Sequence, residues 1–496
     1  MADYKHGAYG IINAVGARAA NESSGVIVYV GTAPVHTVEG GADYVNKPIL
    51  VNNIGEARAY FGYSEDWASY TLCEAMYVHL ENKGIGPIVM INVLDPAVHK
   101  KAQGGTTSVT PANGKLVIAS AASIILDSVE IKTQDQTPVT KEKGVDYTIS
   151  YDWSRGVITA TELSPGSLGT AALTVTYDII DPTVVTNADV IGSSDGLGLN
   201  KGTYAVKDVY QLTQHIPSFL AAPGFSSVPA IHSAMYENSV KINGHWDAYM
   251  FVDLPIVNGG TPLTFDTIQA YKNGNGYTKE NESVYFPLAL GVDGRKYHIS
   301  VLAAANFQEL LSQNNGIPFN SASNTECVLI ENLYLGEAYK DRIFDDYIIN
   351  AKLNKNGINS AAYVGGRWAI WGAHSADYSQ TNADSINVAE TNRMMLYYIS
   401  NDFQHRRTFD IDKPTTPNSI TTIVIEEQRR IDALVQIGAL IFGEVLLNAD
   451  YKAKTDILNG DFSFMFRVTT TPLAKSLTAI VTWVDDGFVT YFEDAA

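Results

Sequence analysis

The sequence predicts a multidomain chain of mixed α/β and α+β type. It has an α/β domain with an inserted all-β sandwich, then a C-terminal α+β domain completed by strands exchanged through N- and C-terminal arms. Three observations predict this. Apolar strand runs alternate with amphipathic helices over 26–103 and again over 184–375. Between 104 and 183 helical periodicity gives way to strict two-residue alternation. Both extremities are strand-patterned stretches bordered by turn-formers.

Residues 1–25 read as an arm and its linker. Tyr9, Ile11, Ile12 and Val15 lie in a glycine-bracketed apolar stretch, and the nine residues after Gly16 could span at most ~30 Å when extended, enough to reach another subunit. Val26-Ile-Val-Tyr-Val-Gly is a continuous apolar run, as in a fully buried strand. Ile49–Val51 follows, then a helix from Ile54 to Phe61 stopped by Gly62. Ser64 is expected to cap a second helix bearing Trp67, Tyr70, Cys73, Tyr77 and Leu80 on one face up to Gly84, and Ile88–Leu94 is the next strand.

In the insert, Val145, Tyr147, Ile149 and Tyr151 alternate with polar residues, as do Leu173, Val175, Tyr177 and Ile179. Short strands at Leu116–Ala119, Val129–Thr133 and Val157–Thr161 complete a sandwich pattern. Past a glycine-rich connector at 192–202 the spacing predicts helices over Tyr204–His215, Val228–Val240, Thr264–Tyr271 and Lys296–Ser312. Strands are expected at Asp247–Asp253 and after Gly365, and the helix at Thr264–Tyr271 precedes Ser283-Val-Tyr-Phe-Pro. The C-terminal domain, 376–484, has two helices, one with Met395, Ile399 and Phe403 on a face. The other carries Ile420, Ile423, Val424, Ile431, Leu434 and Val435, with Glu426, Glu427, Arg429 and Arg430 on its outer side.

The last stretch alternates Phe462, Phe464 and Phe466 with Ser463 and Met465, then runs through Val481, Trp483 and a terminal arm, 485–496, with Phe488, Val489, Tyr491 and Phe492. An apolar strand edge invites pairing with another chain, so this arm reads as a strand lent to a neighbour. The alternative is a last strand in its own domain's sheet.

With 496 residues, 46% hydrophobic and 18% charged, the chain has material for two to four folded domains and is not largely disordered. No apolar run reaches the ~18 residues of a membrane span. The opening Met-Ala-Asp-Tyr-Lys-His-Gly has no secretory pattern, so folding in a cytoplasm is expected. A formal charge of −19, from 34 Lys and Arg against 53 Asp and Glu, argues against nucleic-acid binding. Cys73 and Cys327 are the two cysteines of the sequence; they stand far apart and read as core residues.

Enzyme signatures are missing from the sequence. It has no Gly-x-Ser-x-Gly elbow, no phosphate-cradling loop ending in Gly-Lys-Ser/Thr and no His-Glu-x-x-His helix. Gly196-Leu-Gly-Leu-Asn-Lys-Gly is a loose match to a dinucleotide loop, with its third glycine one residue late and no strand feeding it. His298, His374 and His405 read as structural residues. Asp345-Asp346 and Asp485-Asp486 are adjacent carboxylates, the second pair in turn chemistry. No catalytic residue, metal ligand or cofactor is expected.

Several motifs, taken in order, resemble the contractile tail sheath protein family of myophages, R-type bacteriocins and related contractile injection systems. They are Val28-Tyr-Val-Gly-Thr-Ala-Pro with Pro48-Ile-Leu-Val-Asn-Asn-Ile-Gly-Glu-Ala-Arg-Ala-Tyr-Phe-Gly, Leu80-Glu-Asn-Lys-Gly-Ile-Gly-Pro-Ile-Val-Met-Ile-Asn-Val, and Ala221-Ala-Pro-Gly. Leu353-Asn-Lys-Asn-Gly-Ile-Asn with Gly366-Arg-Trp-Ala-Ile-Trp-Gly-Ala is the most specific pair. Ile457-Leu-Asn-Gly-Asp with Thr471-Pro-Leu-Ala-Lys-Ser resembles the family's closing sheet. The resemblance implies a homo-oligomer of stacked hexameric rings around an inner tube, with tail tube, baseplate and tail terminator proteins as partners. Its place would be a virion tail or bacteriocin particle assembled in a bacterial host cytoplasm. It also implies intersubunit strand exchange, through Tyr9, Ile11, Ile12 and Val15 at one end and Phe488, Val489, Tyr491 and Phe492 at the other. By order along the family's C-terminal domain, Glu426, Glu427, Arg429 and Arg430 would face the tube. Competing readings are another virion component, such as a baseplate protein, or an α/β enzyme.

Overall fold

Val26–Gly31, buried at every position, lies inside an eight-stranded sheet because it offers apolar side chains to both faces. The computed structural model describes residues 25–384, 386–448, 460–485 and 487–488. Across the sheet the order is Ile49–Val51, Ile88–Asn92, Val26–Gly31, Pro217–Ala221, Tyr249–Asp253, Glu282–Tyr285, Ile358–Val364 and Arg367–Trp371. The six inner strands are parallel and the two outermost pair antiparallel. Helices from the intervening segments supply the rest of the core, led by Ile299–Gln313, most of whose residues are buried.

Local chemistry explains where helices start and stop. Helix Ile54–Phe61 begins where the Asn53 side chain accepts the Glu56 N–H and ends at Gly62, whose φ of +70° favours glycine. The helix expected from Ser64 begins later, at Leu72, and continues as a π-helical stretch Met76–Asn82. A tertiary tie overrides the local signal here. Leu72 N–H donates to the Thr32 carbonyl (2.9 Å), and Thr32 N–H donates to Thr71 Oγ1 (3.3 Å), so the preceding residues follow a strand. Lys296–His298 is likewise a strand, and its helix starts at Ile299.

Residues 105–177 form a four-stranded and a three-stranded antiparallel sheet. Leu116, Ile131, Tyr147, Ile158, Leu173 and Val175 belong to one apolar cluster between them. Tyr147 and Ile149 are buried as the alternation predicts, but Val145 stands exposed in the turn before their strand. This region is fastened to the large sheet's domain. Lys143 bridges Glu39 (3.0 Å) and Asp127 (3.2 Å), Asp127 also accepts the Gly40 N–H (2.8 Å), and His36 donates to the Ala122 carbonyl (2.9 Å). Trp153 packs on Tyr63 and under the Arg58 guanidinium.

The chain divides into two compact units, Met1–Thr415 and Thr416–Ala496. Helix Glu390–Arg407 belongs to the first, with Met395 and Ile399 buried as their spacing predicts. The second consists, among the described residues, of helix Pro417–Gln436, strands Leu440–Leu447 and Phe464–Thr470, and the segment after them.

Candidate functional site: a two-stranded sheet in the C-terminal unit

Helix Pro417–Gln436 starts with a capping box between Thr416 and Ser419 and a proline in its first turn. Ile420, Ile431 and Leu434 are buried and lie on one stripe with Val424. The strands that follow form a two-stranded antiparallel sheet, pairing Gly443 with Val468, Glu444 with Arg467 and Val445 with Phe466. Helix and sheet meet at Gly443, where an added Cβ would lie 2.0 Å from Ile431 Cγ2, so a side chain at 443 would force the helix away.

The stripe corrects one expectation. Glu427 is 1% exposed and not on the outer side, because it follows Ile420 and Val424 and precedes Ile431 and Leu434 at three- and four-residue spacing. Glu426, Arg429 and Arg430 are exposed as expected. The spacing was present in the sequence, but grouping the four charges as a block hid it.

Two strands are few for a sheet that must stand in water. Ile441, Phe442, Leu446 and Met465 leave large apolar surfaces exposed on this one. Beyond Thr470 the strand pattern read through Val481 and Trp483 forms no strand among the described residues. Residues 471–484 belong to no helix or strand, and every residue from Ala474 to Asp485 is exposed. Leu477 (91%), Ile480 (89%), Val481 (91%) and Trp483 (76%) have almost their whole side chains in solvent. Covering one such side chain is worth about 1.5–3 kcal/mol, so the segment has a strong drive to find a partner. Phe488 is exposed, and its N–H closes a turn on the Asp485 carbonyl. Tyr9, Ile11, Ile12, Val15, Val489, Tyr491 and Phe492 lie outside the described residues.

Arg467 and Glu444 form an exposed cross-strand pair (2.9 Å), of the kind worth at most about 1 kcal/mol. Gln428, which no sequence pattern singles out, has a specific role. Its amide accepts the Val445 N–H (2.8 Å) and donates to the Gly443 carbonyl (3.1 Å). No local signal could reveal this, because the partner strand lies well along the chain.

Buried ionisable groups cluster in the first unit and serve its packing. His298 donates to Glu74 from its backbone N–H and from Nδ1, both at 2.6 Å. Burial works against its charge, but the Glu74 carboxylate outweighs this and lifts its pKa to about 9. His79 accepts from the Tyr29 hydroxyl and donates to Gln308 (both 2.6 Å), and burial lowers its pKa to about 4. Asp253 accepts from Ser300, and Glu390 from Ser283 and Ser321. His374 donates to the Val388 carbonyl (2.7 Å) and stacks on Tyr378, and His405 packs edge-on against Tyr210. Cys73 and Cys327 are buried core residues whose thiols burial pushes up to about 12.

In the glycine-rich loop the Asp195 carboxylate takes the N–H groups of Leu197 (2.7 Å) and Leu199 (3.0 Å), donors that a phosphate would need. Asp345 caps helix Asp346–Lys352. Among the described residues no cluster of three or more potential metal ligands occurs, and no helix is long and apolar enough to cross a membrane.

Comparison with known proteins agrees with the motif resemblance. Over 266 residues, 53% of this chain, the sequence is 32% identical to the tail sheath protein of Burkholderia phage BcepMu. The match spans 50% of that relative's length. No protein-family model matches. Among solved structures, the PVC sheath complex of an extracellular contractile injection system, in its contracted state, aligns at a TM-score of 0.52 and 10% identity. That alignment covers 98% of each chain. A sheath tail protein from Desulfitobacterium hafniense aligns at 0.51 and 11% identity over 94% of this chain and 100% of that one. At these identities the structural likeness establishes the fold: this is a mixed α/β multidomain chain with the fold of contractile sheath proteins. The proteins it resembles are sheath components and not enzymes.

Proposed function

We propose that this chain is the structural subunit of a contractile tail sheath, which polymerises as stacked hexameric rings around an inner tube and contracts to drive that tube through a bacterial envelope. One observation carries the reading: a two-stranded sheet with exposed apolar residues is followed by a strand-patterned segment, 477–484, that lies bare in solvent. Added to a sheet in another copy, such a segment gains main-chain hydrogen bonds that depend only on backbone, together with burial of its side chains. A link of this kind survives rotation of the domains it joins, because the flanking linker absorbs the movement.

In this reading Tyr9, Ile11, Ile12 and Val15 form one donated strand, and the chain through Phe488, Val489, Tyr491 and Phe492 forms the other. The domain plan is an arm at 1–25, an α/β domain over 26–103 and 184–375 carrying the inserted sandwich 104–183, a sheath domain over 376–484 and an arm at 485–496, with residues 477–484 at the end of the sheath domain leaving it together with the arm. Partners are further copies of the chain, the tail tube protein, and baseplate and terminator proteins. The particle is a virion tail or bacteriocin. The exposed Glu426, Arg429 and Arg430 face the tube through modest ion pairs that break on triggering. A free-energy bias of about 5.5 kcal/mol already turns a 1:99 population into 99:1, so a small gain per subunit, summed along a tail, drives contraction without a nucleotide.

Deleting residues 1–16 tests the reading by negative-stain microscopy of the purified protein. The expected product is a folded monomer that forms no tubes, while the full chain forms long ones. Normal tubes from the deletion variant, or closed finite particles from the full chain, would overturn it.

A further inference from the structure

The first hairpin strand holds a device that strand exchange alone does not require. Gln428, on the helix that packs beneath the strand, reaches its edge and binds two backbone groups at once. Its Oε1 accepts the Val445 N–H (2.8 Å) and its Nε2 donates to the Gly443 carbonyl (3.1 Å). Asp432, one turn further along the helix, accepts a second bond from Nε2 (2.7 Å) and fixes the amide's orientation.

The positions of these two groups give the contact its meaning. In a strand the N–H and C=O of alternate residues point to the same side, so the Val445 N–H and the Gly443 carbonyl lie on one edge. That edge is turned away from Phe464–Thr470: Asn448 N–H donates to the Ser463 carbonyl (2.9 Å), so in this register the even-numbered residues bond the partner strand and Gly443 and Val445 face outward. An added strand, parallel or antiparallel, would bond the carbonyl of one residue and the N–H of the residue two further on. Gln428 occupies that pair with a primary amide, which offers the same kinds of acceptor and donor as a backbone peptide group.

The geometry points to Gln428 as a removable plug: its amide closes the outer edge of Leu440–Leu447 in the free subunit and yields that edge to a strand from a second copy on assembly. The occupant is argued from the chain itself. As an extended strand, residues 477–484 would place Leu477, Ala479, Val481 and Trp483 on one face and Thr478, Ile480, Thr482 and Val484 on the other, and all eight are exposed. A plug of this kind protects an edge that would otherwise pair prematurely. It is also easily displaced, since one side-chain amide supplies two bonds where an eight-residue strand supplies several and buries apolar surface as well. This inference rests on the strand-exchange reading above.

Amide hydrogen exchange tests it, on full-length wild type and on Gln428→Ala and Gln428→Met, the second of which keeps the length of the stem. In free subunits both variants should exchange the Val445 N–H about five- to tenfold faster than wild type, the loss of one net hydrogen bond. In assembled particles all three should exchange it equally slowly, and the variants should assemble at a severalfold lower concentration. Fast exchange in the assembled variants, or slow exchange in the free ones, would overturn the plug, as would folded variants that no longer assemble. Should neither variant fold, a structure of the wild-type particle decides. A neighbour's backbone bonded to Val445 supports the inference, and Gln428 still in place there sinks it. If assembly protects no new amide anywhere in 440–448 or 460–485, strand exchange itself fails. New protection elsewhere with Val445 unchanged removes only the plug.

Discussion

Residues 105–177 and residues 440–485 are both small antiparallel β regions, built from similar alternating sequences, and they reach opposite outcomes. The first has seven strands in two sheets, and Leu116, Ile131, Ile158, Leu173 and Val175 pack into a cluster that needs nothing from outside. The second has, among the described residues, two strands, a supporting helix and an apolar segment lying in solvent. Alternation therefore specifies a face to be buried, but strand count decides whether the chain can bury it alone. A pair of strands is marginal by itself, so the described sheet has more to gain from an added strand than the sandwich has. The first region, by contrast, adds a polar and aromatic fastening to its neighbour through Lys143, Asp127 and Trp153.

The largest expected effect falls on the self-sufficient region. Ile158→Ala removes a fully buried side chain from that cluster and should cost about 2–5 kcal/mol, read by chemical denaturation. Below its midpoint the variant should still assemble. A loss of assembly with the fold intact would mean that the two regions are not independent, and would break the comparison.

A second contrast lies among the histidines of the first unit. His298 has a pKa raised to about 9 in the folded chain, against about 6.5 unfolded. Its contribution is therefore fully present below about pH 6.5 and is lost as pH rises through about 9. His36 and His79 are shifted the other way, to about 4, by burial. The unfolded chain binds more protons than the folded one between these values and 6.5, so stability falls as pH drops from 6.5 through about 4. A plot of unfolding free energy against pH should fall on both sides by a few kcal/mol. Gly443→Ala, which places a Cβ against Ile431, should cost about 1–3 kcal/mol through overpacking, and far-UV thermal melts would place that loss in the hairpin unit.

The same comparison shows what the sequence could and could not reveal. Val26–Gly31, Ile88–Asn92 and Tyr249–Asp253 were legible because a strand buried on both faces needs apolar residues throughout. Helix Ile54–Phe61 was legible from Asn53 and Gly62, whose chemistry is local. The late start of the next helix was not, since the bonds between Thr32 and the Thr71–Leu72 backbone join residues 39 apart or more. Residues 477–484 have the pattern of a strand and yet are not one in the lone chain, because a strand is defined by its partner. Gln428 was illegible for a related reason: its amide matters only where a distant edge meets it.

The smallest effect on the isolated chain should be the most informative. Val481 and Trp483 are 91% and 76% exposed, so Val481→Asp combined with Trp483→Asp removes almost no packing. Surface changes of this kind shift stability by no more than about 0.5 kcal/mol, and the melting curve of the monomer should be unchanged. Both residues nevertheless lie on one face of the segment, and burying two carboxylates against another copy's sheet would leave unpaired charges in an apolar contact. Sedimentation should therefore show the double variant remaining monomeric at concentrations where wild type assembles. If it assembles as well as wild type, the segment is not a donated strand, and the exposure of its side chains has some other cause.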